Sequence, residues 1–177
     1  MLAEKLGVPA ISTGKLLRSE YEAGTPEGIE AEKYWGEGEW VPADLMISIL
    51  TKRLDRDDCQ KGFVLDGTPR KMGDIPLLQN YLSEKNQKLD LVLHLDTKDE
   101  TCLLRLTHRI FKAQEKGEKV REDEDPDEIK ERLNQYHQTV GPVLKYFEEK
   151  GILRRIDNEQ PIEDVFEEVS AAVEGLS

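Results

Sequence analysis

The chain has 177 residues, 35% of them charged, and a net charge of -12. One domain of this length can bury a sizeable core, and so acidic a balance argues against nonspecific attachment to nucleic acid or to an anionic membrane. No apolar run approaches the roughly 20 residues that span a bilayer, and no basic-then-apolar leader opens the chain. Cys59 and Cys102 stand alone, and His94, His108 and His137 are scattered, so neither a disulfide framework nor a structural metal is expected. The plain expectation is a reduced, cytoplasmic compartment.

In chain order, Met1 to Lys5 reads as the end of a helix, with Gly7 as its left-handed cap. Val8 to Ser12 is a short strand. Thr13 to Ala23 and Glu27 to Trp35 read as helices, broken by Gly24-Thr25-Pro26. Leu45, Met46, Ile49, Leu50 and Leu54 keep a helical period over Asp44 to Leu54. Gly62 to Leu65 is a second strand and Ile75 to Lys85 a further helix. Leu89 to Leu95 is an apolar run suited to a strand buried on both faces. A helix follows over Asp99 to Phe111, then a polar loop or flap over Lys112 to Asp125. Asp127 to Lys150 is a long helical pattern that Pro142 is expected to kink or divide, and Gly151 closes it. Ile152 to Ile156 is the last strand and Pro161 to Val173 the closing helix. Such alternation predicts α/β architecture: a parallel sheet with helices on both faces in three layers.

The segment with most chemistry is Phe63-Val64-Leu65-Asp66-Gly67-Thr68-Pro69-Arg70. It sets a carboxylate and a guanidinium at the carboxyl end of a strand, where open α/β sheets bind ligands. Asp66 is suited to holding a magnesium ion through water, and Arg70 to gripping a phosphate with paired hydrogen bonds. Arg18, Arg109, Arg121 and Arg132 add further cations, the middle two bracketing the polar flap. Phosphoryl transfer needs cations around the moving group, a metal and exclusion of water, and arginines at both ends of a mobile flap would meet that need. Alternatively, such arginines simply balance an acidic surface.

These motifs resemble the adenylate kinase family of nucleoside monophosphate kinases, in order and from end to end. The matching segments are Ile11-Ser12-Thr13-Gly14 with Leu16-Leu17-Arg18, Gly38-Glu39-Trp40-Val41-Pro42, and Gly62 to Arg70. Arg105 with Arg109, Arg121, Arg132-Leu133 with Tyr136, and Ile156-Asp157 follow. The resemblance implies a P-loop kinase-like fold, one domain over 1–177, a monophosphate-binding subdomain at about 12–42 and a short lid at about 110–122. It implies monophosphate contacts from Thr13, Arg18, Glu39, Val41, Gly67, Arg70 and Asp74. Arg105, Arg109 and Gln160 would serve ATP, while Arg70, Arg109, Arg121 and Arg132 would act on the phosphates in transfer. ATP with magnesium and a nucleoside monophosphate, foremost AMP, are the implied reactants. A zinc-bearing lid is not expected, since the lid segment has no cysteine, and a monomer is.

Four departures qualify this reading. The family's glycine-rich phosphate loop and the strand before it are not found in these 177 residues. Gly7 and Gly14-Lys15 offer no substitute, because six residues separate the glycines and Leu16 follows the lysine, whereas the loop requires four and a hydroxyl. The resemblance places the lacking strand between those at Gly62 to Leu65 and Leu89 to Leu95, which must then pair directly or leave backbone groups open. Lys15, Thr68 and Asp74 stand where the family has an acidic residue, an aromatic and a glutamine. An aspartate only accepts hydrogen bonds when ionised, so Asp74 suits the donor edge of guanine, unless it is an exposed helix residue away from the base. The expected activity is therefore a kinase impaired in this chain. A nucleotide-binding module that keeps only the monophosphate pocket, or a kinase for another nucleoside monophosphate, is the alternative.

Overall fold

Helix α1 spans Leu2–Leu6 and ends where Gly7 turns to φ 66° and its N–H donates to the Glu4 carbonyl. The computed structural model describes the backbone of residues 1–35, 39–117 and 126–174, and the side chains of these except 126–128. Strand β1, Ala10–Ser12, leads directly into α2, Thr13–Glu22. Helix α3, Pro26–Trp35, starts as the break at Gly24-Thr25-Pro26 requires: Thr25 Oγ1 accepts the Gly28 N–H at 3.1 Å and so caps an otherwise orphaned donor. Helix α4, Ala43–Leu54, follows Pro42 and buries Met46, Ile47, Ile49, Leu50 and Leu54.

Strand β2, Val64–Asp66, pairs in parallel with β1, with Ala10 opposite Val64, Ile11 opposite Leu65 and Ser12 opposite Asp66. That register brings Thr13, at the start of α2, beside the loop leaving β2. Helix α5 is Asp74–Glu84. Strand β3, Val92–Asp96, pairs in parallel with β4, Leu153–Asp157. Between them run α6, Asp99–Glu115, and α7, Pro126–Glu149, and α8, Ile162–Glu174, closes the chain.

The α/β class and the parallel pairing are as expected, but the strands form two separate pairs, and no ladder joins β2 to β3 among the described residues. Of the two outcomes expected for these strands, the structure adopts the open one. It follows that β3 is not buried on both faces: Val92, Leu93 and His94 are half-buried and Leu95 is exposed. Helix α6 likewise buries none of its residues, and Leu104 is 70% exposed.

One further expectation is corrected and another is narrowed. Lys112-Ala113-Gln114-Glu115 continues α6 instead of opening the flap, since all four favour helix, and the turn comes at Gly117 with φ 65°. Pro142 does not divide α7, which runs unbroken from Pro126 to Glu149. Val143 and the fully buried Phe147 pack that stretch against Ile75 and Leu153, and this burial offsets the hydrogen bond that proline cannot donate. The largest core unites α2 to α5 with β1 around Leu50, Leu78 and Leu82. Leu2 and Leu93 pack on a smaller cluster of Ile156, Val165 and Val169, which ties α1 to α8.

Candidate active site

The β1–β2 register decides where the chemistry gathers. Ser12 and Asp66 end their strands side by side, and Thr13, buried at 3%, donates from Oγ1 to the Asp66 carbonyl at 3.2 Å. Gly67 then turns at φ 92°, and a Cβ there would lie 2.6 Å from Thr13 Oγ1 and 2.9 Å from an Arg70 nitrogen. Only glycine lets the two segments and the guanidinium approach so closely. The chain continues through a cis Thr68–Pro69 bond to Arg70.

Asp74 fastens this loop. It is 4% exposed, and its Oδ2 accepts the backbone N–H groups of Arg70 at 2.9 Å and Lys71 at 3.0 Å. The alternative of an exposed helix residue is thereby overturned. Lys71 in turn donates from Nζ to the Val41 carbonyl at 3.0 Å, linking this loop to the segment before α4. From that segment, the Trp40 ring lies under the Arg70 guanidinium, 4.4 Å from ring centroid to Cζ.

A cavity of about 280 Å³ opens over these residues. Thr13, Arg18, Glu39, Val41, Asp66, Gly67, Arg70, Asp74, Arg109 and Arg132 all line it, so ten of the residues expected from sequence meet in one place. Arg18 folds back one turn of α2 toward Gly14. Burial, and next the charge of Arg132, push the Arg70 guanidinium below its ordinary pKa, while Asp66 and Asp74 oppose them. Cations crowded together in a partly desolvated cleft are stabilised by an anion that bridges them.

Two expected residues lie elsewhere, and a third falls outside the described residues. Arg105 donates to the Asn158 carbonyl at 2.7 Å, and Gln160 donates to Glu168 Oε1 at 2.9 Å, so both belong to the turn after β4 and neither lines the cavity. Arg121, with the lid segment from 118 to 122, lies outside the described residues. Sequence reasoning missed Trp35, Lys71 and Leu106, which also line the cavity, and it reached Trp40 only through the backbone between Glu39 and Val41. Trp40 and Lys71 adjoin residues it did name, and only their long-range partners, Arg70 and Val41, reveal what they do.

Among the described residues, no three His, Cys, Asp or Glu side chains converge on a metal site. Asp66 is nevertheless exposed and lines the cavity. A single exposed carboxylate of this kind suits magnesium, which keeps most of its waters and takes few ligands from the protein.

Parallel βα units with an arginine-lined cavity at the carboxyl ends of their strands define an α/β protein with its candidate ligand site at the strand ends. The family model described as "Adenylate kinase" matches residues 1–152. An adenylate kinase of Methylobacterium nodulans is 36% identical over 99% of this chain and 88% of its own length. One from Thermodesulfovibrio yellowstonii is 37% identical over 98% and 90%, and one from Archaeoglobus fulgidus 35% over 99% and 90%. The chain belongs to the adenylate kinase family.

Proposed function

We propose that the cavity binds a nucleoside monophosphate, foremost AMP, and that it serves phosphoryl transfer from ATP, giving two ADP. The observation that carries this reading is the convergence of Arg18, Arg70, Arg109 and Arg132 on one cavity closed on its strand side by Thr13 and Gly67. Arg18 and Arg70 would grip the monophosphate, and Thr13 would fix the turn on which Arg70 rides. Glu39 and Val41 would border the nucleoside from the opposite segment. Arg109 and Arg132, on α6 and α7, would approach the group in transfer from the donor side. Arg121 would complete that set from the lid, with Arg105 and Gln160 toward ATP. Magnesium, held by Asp66 through water, would neutralise charge on the donor phosphates.

Residues 1–177 include no Gly-x-x-x-x-Gly-Lys-Ser/Thr run, since Gly62 and Gly67 have the glycine spacing but Thr68 and Pro69 follow. For the 177-residue chain this supports slow turnover, or a binding module, while the arginines of the cavity support monophosphate binding in either case. Asp74 holds backbone amides with one oxygen, which supports a base preference set by the pocket as a whole. Calorimetric titration with AMP, GMP, CMP and UMP, together with a coupled ADP assay, tests both readings. Tightest binding of AMP with weak turnover is expected. A strict preference for GMP would move the base reading to Asp74, and absence of binding by all four would overturn the proposal.

A further inference from the structure

Arg70 is held in an unfavourable place. Burial and Arg132 both work against its charge, and its own loop offers it only the carboxylates of Asp66 and Asp74. Asp74 meanwhile uses one oxygen on the Arg70 and Lys71 amides. Against its guanidinium lies the Trp40 ring, 4.4 Å from Cζ. A guanidinium over an indole face is attracted by the ring quadrupole, more strongly where water is excluded.

The ring's own position is fixed from the same side. Val41, next to Trp40, accepts the Lys71 ammonium at 3.0 Å, and Lys71 follows Arg70. Two consecutive residues of one segment thus hold two consecutive residues of the other. One tie is to a backbone carbonyl, and the other is ring to cation. Trp35, the cavity's other indole, packs edge-on to Tyr21 at 5.9 Å and provides an internal comparison.

We infer that Trp40 is a positioning residue: its indole face sets the Arg70 guanidinium toward the bound phosphate, so that phosphate affinity depends on the ring at this position. The inference rests on the proposed monophosphate site and names a residue through which that site works. Trp40 acts on the phosphate through Arg70, and stacking of the ring on the base is the competing role.

Calorimetric titrations of the 177-residue chain with AMP and with adenosine separate these roles. Trp40→Leu is expected to weaken AMP roughly 5- to 30-fold, the range of a partly desolvated cation–ring contact, and to leave adenosine unchanged. Trp40→Phe, which keeps a ring of similar placement and guards against a folding failure of the leucine variant, should restore most of the loss. In an Arg70→Met background, Trp40→Leu should cost AMP nothing more. Equal losses for AMP and adenosine, or an undiminished loss in the Arg70→Met background, would overturn the inference. So would a Trp40→Phe variant no better than Trp40→Leu. A wild-type chain that binds no monophosphate would overturn the underlying site instead, and this inference with it.

Discussion

Gly67 carries the tightest geometric demand in the site. Its φ of 92° and the 2.6 Å from a built Cβ to Thr13 Oγ1 leave no room for a side chain. Gly67→Ala is expected to lower stability by about 1–3 kcal/mol, the usual cost of a strained backbone position, and to weaken AMP binding by displacing Arg70. Thermal melts and titration check both effects. Asp74 makes a second residue-scale point. Removing a buried acceptor leaves the Arg70 and Lys71 amides without their partner, so Asp74→Ala should cost about 1–3 kcal/mol. Asp74→Asn keeps an acceptor oxygen and should cost less, and a reversed order in urea titrations would refute the fastening role. In the sequence, Asp74 read as a base-facing or exposed residue, because its spacing from Arg70 could not reveal that its carboxylate turns back onto the preceding amides.

At the scale of elements, the α2–α3 corner depends on Gly28. A Cβ there would meet the Glu20 carbonyl carbon at 2.3 Å and the Tyr21 nitrogen at 2.4 Å, both backbone atoms that cannot swing aside. Gly28→Ala should therefore force the helices apart and lower the melting temperature by several degrees, corresponding to about 1–3 kcal/mol of overpacking. Strand β3 and helix α7 meet where His94 Nε2 lies 2.7 Å from the Tyr136 hydroxyl. Burial lowers the His94 pKa from its ordinary 6.5, with Asp96 opposing and Arg155 adding to the effect. The folded state thus favours the neutral ring, and the unfolded chain binds the proton more readily. Stability should rise with pH through the interval just below 6.5 and fall on acidification across it. Replacing His94 with Gln should flatten the melting profile in that window, and an unchanged slope would exclude His94 as its source.

Across the whole molecule, most elements were legible because their signals are local. Gly7, Gly151 and Thr25-Pro26 mark helix ends by backbone geometry, and the apolar spacing over Leu45 to Leu54 marks a buried face. What was not legible depends on distant partners. Whether β2 meets β3 is decided by sheet packing, and whether α7 survives Pro142 by the burial of Val143 and Phe147. The same division holds for the site: residue types and order named the arginines, while only the fold shows that Arg105 and Gln160 stand apart from the cavity that Arg70, Arg109 and Arg132 share. That shared cavity is the centre of the account, and like charges so gathered should prefer an occupied state. The most direct measurement is calorimetric titration of the 177-residue chain with AMP, with adenosine as the control that lacks the phosphate. AMP is expected to bind at least about tenfold more tightly than adenosine, as a charge-assisted, bidentate phosphate contact implies. Equal affinity for the two, or a preference for adenosine, would contradict it.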